Sequence, residues 1–130
     1  MRIGVDLLKL PRFARVAEHP RMRRLLFTER ELGDVADLGP ARRVERLGGR
    51  FCAKEAVAKV LGRGLGQGLR WPEIEVTSDE WGAPAVRLHG GAAEAARTAG
   101  IGSVQVSITH QEDLVVCVAL GVPHGPDRGA

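Results

Sequence analysis

The sequence contains no tyrosine, three phenylalanines and two tryptophans, so few of its side chains could stack on nucleic-acid bases. No apolar run approaches the roughly 18 residues that a membrane-spanning helix needs. The start Met1-Arg2 is followed by only three uncharged residues before Asp6, which does not match a signal peptide. We therefore expect neither a nucleic-acid binder nor a membrane protein.

Two common catalytic patterns are also absent from the sequence. The glycine-rich stretch GRGLGQG (62–68) follows a predicted helix, whereas a Walker phosphate loop precedes one and ends in Gly-Lys-Ser or Gly-Lys-Thr. There is no Gly-x-Ser-x-Gly, and Ser107 and His110 are too close in one strand to meet as nucleophile and base. Neither a Walker-type nucleotidase nor a serine hydrolase is indicated.

Cysteine is scarce as well. Cys52 and Cys117 both lie in apolar surroundings. This placement favours buried free thiols in a cytoplasmic protein over a disulfide or a metal-binding pair.

The 130 residues are enough for one domain with one hydrophobic core, and no repeat or linker divides them. We place that domain at 1–121 and a frayed tail at 122–130. Apolar alternation predicts strands, and the run LVVCVAL predicts a central strand covered on both faces. The predicted strands are 2–6, 73–79, 85–89, 103–110 and 114–120.

Capping signals and glycines delimit the predicted helices. One starts at Pro11 and ends before Pro20, and one is capped by a Thr28–Glu31 capping box and stops near Gly39-Pro40. The others cover 41–61, weakened at Gly48-Gly49, and 91–100. Helices early and antiparallel hairpins late predict an α+β fold.

Basic residues are concentrated between Lys9 and Arg24, where six of them accompany a single acid, Glu18. Such a block suits an acidic protein, a phosphate ligand or a nucleic acid. A solvated face is the alternative, and the block alone does not decide between them.

The stretch FCAKEAVAKVL (51–61) is apolar around most of a helix, yet it carries Lys54, Glu55 and Lys59. Buried charges are costly unless they are paired or bound to a ligand. Glu55 and Lys59 are four residues apart and share a face, so they form either a salt bridge or part of a site.

Asp6 ends an apolar strand, where an aspartate is a turn residue or a ligand. If Asp6 and Glu55 met, two carboxylates without His or Cys would favour Mg²⁺. The matching reaction class is phosphoryl transfer, with a lysine neutralising the leaving group and a carboxylate taking a hydroxyl proton. Periodicity does not show that the two residues meet.

Five blocks of the sequence, in order and spacing, resemble the holo-acyl-carrier-protein synthases, which are the small phosphopantetheinyl transferases. The blocks are GVDLLKLPRF (4–13), LFTERELGD (26–34), GRFCAKEAVAKVLGRGLG (49–66), GAPAVRLHG (82–90) and VSITHQEDLVVCVAL (106–120). The resemblance implies an α+β fold that forms homotrimers with active sites at subunit interfaces. It also implies Mg²⁺-dependent transfer of 4′-phosphopantetheine from coenzyme A to a serine of an acyl carrier protein, leaving adenosine 3′,5′-bisphosphate.

The resemblance further implies roles for individual residues. Asp6 and Glu55 are expected to bind the metal, Glu55 to act as base and Lys59 to contact the phosphates. The expected coenzyme A contacts are Arg50, Lys54, Lys59, Gly62, Gly82, Pro84, Ser107, Thr109 and His110. The expected contacts with the acidic carrier protein are Arg12, Arg21 and Met22, which would account for the basic block.

The sequence departs from the family pattern at Arg63, Trp81, Ala83 and Thr109, and by an apolar Met22 at a carrier-contact position, which bears on fine specificity rather than on the chemistry. A different class of function stays open beside the transferase: a non-catalytic module that binds nucleotides or acidic proteins. It would bind coenzyme A without modifying a carrier protein.

Overall fold

A computed structural model describes residues 1–64 and 67–125 of the chain. The helices are α1 (Leu10–Ala17), α2 (Pro20–Leu26), α3 (Glu29–Gly33), α4 (Pro40–Leu61) and α5 (Gly90–Thr98). The strands are β1 (Arg2–Lys9), β2 (Ile74–Ser78), β3 (Pro84–Leu88), β4 (Ile101–Gln111) and β5 (Leu114–Pro123), and a 3₁₀ turn covers Trp71–Glu73. Within these ranges no helix is both long and apolar enough to cross a membrane.

The strands form two antiparallel sheets, one with the order β1-β5-β4 and one made of the β2-β3 hairpin. Both predicted hairpins are therefore present, and the predicted α+β class is confirmed. The sheet of three strands packs on α4, whose buried residues from Leu47 to Leu61 form the centre of the core. A second apolar cluster joins α1 to the first half of α4 through Phe13, Phe27 and Leu47.

Helix α4 is unbroken through Gly48-Gly49, in contrast to the predicted weakening there. The reason is packing, because a Cβ at Gly48 would lie 2.6 Å from Cδ2 of Leu10. Gly62 ends the helix in the left-handed conformation, with φ of 73°, which glycine adopts at little cost. Leu65 and Gly66 of the predicted glycine-rich loop lie outside the described residues.

Two glycines let the sheet approach α4 closely. A Cβ at Gly4 would overlap the carbonyl oxygen of Ala56, and a Cβ at Gly121 would lie 2.6 Å from Cγ1 of Val60. Any larger residue at Gly4 would push β1 away from the helix. The absence of a side chain at Gly4 thus determines how closely Asp6, two residues further along β1, approaches α4.

Some boundaries and environments differ from the prediction. Helix α2 was not predicted, because the basic and apolar residues that follow Pro20 show no clear helical period. Helix α3 ends at Gly33, earlier than predicted. Strand β5 continues to Pro123, and residues 126–130 of the predicted tail lie outside the described part of the chain. The domain limit at 121 stays a prediction.

Strand β5 is central, as predicted, but the described residues of this chain cover only one of its faces. Val115, Cys117 and Ala119 are buried against α4, whereas Val118 on the opposite face is 44% exposed. The expectation of cover on both faces is therefore wrong for the single chain. An apolar run of this kind still needs a partner for its second face.

A buried ion pair connects α3, α4 and β2. The Lys54 ammonium and the Glu31 carboxylate are fully buried and 2.9 Å apart. Glu31 also accepts hydrogen bonds from the backbone N–H groups of Thr28 and Val76, completing the predicted capping box at Thr28. Lys54 donates further to the carbonyl oxygens of Trp71 and Ile74. Both charged groups thus have hydrogen-bond partners inside the core, and the ion pair holds the β2-β3 hairpin to α4.

We expect Lys54→Met to lower the free energy of unfolding by about 3–5 kcal/mol, because the substitution leaves the Glu31 carboxylate buried without its counter-charge. Urea denaturation followed by circular dichroism measures the loss. Arg97→Ala is the matched control, since Arg97 pairs with Glu94 on the exposed face of α5 and should cost well under about 1 kcal/mol. Equal losses in the two variants would contradict the structural role of Lys54.

Candidate active site

The first candidate site is formed where β1 crosses α4. The alternation of β1 directs Asp6 to the inner face of the sheet, opposite Cys117 in the strand register. The close approach at Gly4 places Asp6 against the helix, and its side chain is only 12% exposed. The Cys52 thiol contacts both the carbonyl oxygen and the carboxylate of Asp6. Burial and the Asp6 charge raise the pKa of Cys52 to about 12, so this thiol stays protonated.

Glu55 reaches the same place from α4. Burial raises the pKa of Glu55 from 4.5 to about 7, and the neighbouring Asp6 carboxylate adds to this rise through its charge and a side-chain hydrogen bond. Lys59 acts in the opposite direction. Two residues 49 positions apart in sequence therefore share one small site, and the juxtaposition that periodicity could not establish is present.

Lys59 belongs to this site through Asp6. Its ammonium donates to Oδ1 of Asp6 at 3.2 Å and to the carbonyl oxygen of Val5 at 2.8 Å, while its side chain stays 57% exposed. The ion pair that Lys59 forms is thus with Asp6 rather than with Glu55, and the role of the two residues in a site stays a prediction. Beside it, Glu55, Lys59, Gly62 and Arg63 line an open cavity of about 420 Å³. We call this the carboxylate cavity.

A second cavity, of about 370 Å³, lies at the other end of α4. Four of the residues expected to contact coenzyme A line it: Arg50, Gly82, Pro84 and His110. We call it the arginine cavity, because Arg42 and Arg46 line it as well.

The positively charged groups of the arginine cavity are held by acidic and backbone partners. The Arg50 guanidinium is buried and donates to the carbonyl oxygen of Glu31 at 3.0 Å and to Oδ2 of Asp34 at 3.2 Å. Nε2 of His110 lies 2.8 Å from Oε1 of Glu45. A cavity with three guanidinium groups and an imidazole in its wall suits a phosphate-bearing ligand.

The β2-β3 turn forms the rim of the arginine cavity. Oδ1 of Asp79 accepts hydrogen bonds from the backbone N–H groups of Trp81 and Ala83, at 2.8 and 2.9 Å. Gly82 has a φ of 85°, which requires glycine at this position of the turn. The turn is therefore held by hydrogen bonds within itself.

The two cavities are separate in the single chain. Arg46 in the wall of one cavity and Lys59 in the wall of the other are thirteen positions apart on α4, which corresponds to roughly 20 Å along the helix axis. The described residues of one chain thus form two separate cavities rather than one continuous cavity.

The remaining predicted ligand contacts fall elsewhere. The predicted contact between Lys54 and coenzyme A is corrected by the structure. The Lys54 ammonium is buried in the core, where it donates to Glu31 and two carbonyl oxygens, and the residue lines neither of these two cavities. Ser107 and Thr109 pair with Val118 and Val116 on the outer face of the sheet, away from both cavities.

The residues expected to contact a carrier protein lie on successive short helices, with Arg12 on α1 and Arg21 and Met22 on α2. Arg12 lines a shallow groove together with Lys9 and Arg15. Their assignment to a carrier protein stays a prediction.

Sequence reasoning missed three residues that line the arginine cavity. Arg42 and Arg46 precede Arg50 by eight and four positions, so the stretch ARRVERLGGR places all three on one helix face. That spacing was available as a signal. The contact of Glu45 with His110 was not, because it depends on how β4 packs beside α4.

The chain is similar to known proteins over nearly its whole length. Residues 2–119 match the profile of a family described as the 4′-phosphopantetheinyl transferase superfamily. The chain is 39% identical over 125 residues to a holo-[acyl-carrier-protein] synthase of Geobacillus kaustophilus, covering 95% of this chain and 90% of that protein.

Solved structures are similar over nearly the same length. An acyl carrier protein synthase of Plasmodium yoelii with ADP bound superposes with a TM-score of 0.85 and 27% identity, covering 95% of this chain and 96% of that one. A holo-(acyl-carrier-protein) synthase of Bacillus anthracis in complex with CoA (3′,5′-ADP) gives a TM-score of 0.76 and 28% identity, covering 91% and 92%.

The raised pKa of Glu55 predicts a pH-dependent stability difference. Because its folded-state pKa of about 7 exceeds its ordinary value of 4.5, ionising Glu55 costs folding free energy. The cost is absent below about pH 4.5, grows between about pH 4.5 and 7, and is complete above. Metal-free Glu55→Gln protein should therefore gain about 1–2 kcal/mol relative to the wild type between about pH 5 and pH 8, less than the full shift implies because water reaches the carboxyl.

Urea unfolding in EDTA at both pH values measures this difference. Glu94→Gln, on the exposed face of α5, is the control and should show no such trend. A difference between wild type and Glu55→Gln that does not change with pH would contradict the shared carboxylate site.

Proposed function

Since the chain belongs to the 4′-phosphopantetheinyl transferase superfamily, we propose that it is a holo-acyl-carrier-protein synthase. It transfers 4′-phosphopantetheine from coenzyme A to a serine of an apo acyl carrier protein and releases adenosine 3′,5′-bisphosphate. The relatives named as holo-[acyl-carrier-protein] synthases cover most of the chain and support this reaction. The single structural observation that carries it is the meeting of Asp6 and Glu55 beside an open cavity.

The donor set of the carboxylate cavity fits Mg²⁺. Asp6 and Glu55 offer hard oxygen ligands, and Mg²⁺ is usually held by one or two carboxylates together with water and substrate phosphate. Their mutual repulsion, visible in the raised pKa of Glu55, is what a divalent cation would relieve. When bound, the ion neutralises charge on the diphosphate of coenzyme A.

The chain's own residues account for the proton and the charge. Glu55 lines the carboxylate cavity, so its ionised carboxylate is placed to take the proton of the carrier serine hydroxyl. The exposed Lys59 ammonium, fixed in direction by Asp6 and the carbonyl of Val5, meets the phosphates. In the arginine cavity, Arg50 offers positive charge and His110 a ring nitrogen to the nucleotide.

The same proposal includes the acidic partner and the location. The basic block on α1 and α2 suits the acidic surface of a carrier protein, with Arg12 and Arg21 as the expected contacts. Two free, buried cysteines are in keeping with a cytoplasmic location.

We further propose a homotrimer with active sites between subunits. Ile3, Val5 and Leu7 of β1 are 54–71% exposed and, with Leu114 and Val118 of β5, form an apolar outer sheet face. The base and the diphosphate of coenzyme A are joined through a single ribose, which is short compared with the roughly 20 Å of helix axis between Arg46 and Lys59 of one chain. A second copy seated on the outer sheet face would supply the arginine cavity to the carboxylate cavity of its neighbour.

Replacing either carboxylate should abolish most of the activity. We expect Glu55→Gln and Asp6→Asn each to lower the turnover number by roughly 100-fold or more while the circular dichroism spectrum stays that of the wild type. Intact-mass analysis of an apo carrier protein incubated with coenzyme A and Mg²⁺ measures the transfer, with EDTA as a control. Coenzyme A binding without any mass gain by the wild type would favour the non-catalytic binding module instead.

Subunit sharing predicts complementation. Glu55→Gln and His110→Ala proteins, each weakly active alone, should recover part of the wild-type activity when they are mixed, unfolded together and refolded, because some interfaces then combine two intact cavities. Val5→Glu on the outer sheet face should yield monomers in analytical ultracentrifugation. A Val5→Glu monomer with full activity, or a refolded mixture without recovery, would count against sites at the interface.

A further inference from the structure

Arg63 lines the carboxylate cavity and has been given no role in the proposed reaction so far. It follows Gly62, where α4 ends, and lines the cavity together with Glu55 and Lys59. It is exposed, and among residues 1–64 and 67–125 no acidic side chain forms an ion pair with it. Most surface arginines are solvated in this way, so the charges around Arg63 decide whether it binds a ligand.

The carboxylate cavity is short of positive charge for the ligand proposed above. Asp6 and Glu55 bring two negative charges when both are ionised, and the diphosphate of coenzyme A brings at least two more. Lys59 already donates two of its three N–H bonds to Asp6 and the carbonyl oxygen of Val5. A single divalent ion and the partly committed Lys59 leave an excess of negative charge, and Arg63 is the other cation in the cavity wall.

We propose that Arg63 binds the diphosphate of coenzyme A and stabilises the phosphate that leaves; this inference rests on the transferase function proposed above. The carrier serine oxygen forms a bond to the phosphorus that bears pantetheine, while the bond from that phosphorus to the bridging oxygen breaks. The electron pair stays on the bridging oxygen, which becomes part of the 5′-phosphate of adenosine 3′,5′-bisphosphate. The serine proton goes to Glu55, and the new negative charge on the leaving phosphate is met by Arg63.

The guanidinium group is suited to this task for geometric reasons. It presents parallel N–H donors that match two phosphate oxygens, and it remains charged at every working pH. Its place directly after the helix end keeps its backbone close to Lys59, and the residue lines the same cavity as Glu55 and Lys59. Arg63 thus acts on the substrate itself, which distinguishes it from Arg50, whose guanidinium is held by Glu31 and Asp34.

Calorimetry and kinetics test the proposal on the full-length protein. We expect Arg63→Ala to weaken binding of coenzyme A about tenfold in isothermal titration calorimetry and to lower kcat/KM for coenzyme A by roughly 10- to 100-fold. Arg63→Lys should recover part of both losses, since it restores charge without the paired donors. The salt dependence of coenzyme A binding should be weaker for Arg63→Ala, because one phosphate contact is lost.

Arg97→Ala on α5 is the matched control, because it also removes one exposed arginine but lies outside both cavities. It should leave the binding of coenzyme A unchanged. Unchanged binding and kinetics for Arg63→Ala would overturn the proposal, and so would a change confined to the KM for the carrier protein. If the wild type neither binds coenzyme A nor modifies a carrier protein, the transferase function itself fails, a result distinct from a silent Arg63→Ala variant.

Discussion

The close packing of β1 on α4 is the constraint on which the candidate site depends. Gly4 has no Cβ to hold the strand away from the carbonyl oxygen of Ala56, so Asp6, two residues further on, comes to lie against the helix. Glu55 lies near it, and burial together with the Asp6 charge raises the pKa of Glu55. A perturbed carboxyl pKa of this kind is common at active sites.

The cost of ionising Glu55 is tolerated because α4 is fixed firmly by its neighbours. One residue earlier, Lys54 forms an ion pair with Glu31 in the core and donates hydrogen bonds to the carbonyl oxygens of Trp71, just before β2, and of Ile74, the first residue of β2. Lys54 and Glu55 are neighbours in sequence but have different structural roles. Lys54 ties the helix to the hairpin that carries Gly82, and Glu55 presents a reactive carboxyl to the cavity.

The outer sheet face and the separation of the two cavities have a common explanation in the proposed assembly. An apolar face with Val5 more than half exposed is unusual for a chain that remains alone in water. The arginine cavity, whose rim is the hydrogen-bonded β2-β3 turn, suits a phosphate-bearing ligand, and Arg46 in its wall lies roughly 20 Å along α4 from Lys59. Association of copies would cover the face and join the two cavities in one step.

The sequence by itself determined the α+β class, both hairpins, the Thr28 capping box and the apolar helix with its misplaced charges, because these follow from periodicity and local capping. It also identified the family through five ordered motifs. Only the tertiary structure decided which charge serves which purpose. Lys54 and Glu55 look alike in sequence, yet one is buried in the core and the other opens to a cavity, since a rotation of about 100° separates their side chains on the helix. The meeting of Asp6 with Glu55 and of Glu45 with His110 likewise depended on the packing of distant strands on α4, which no local pattern records.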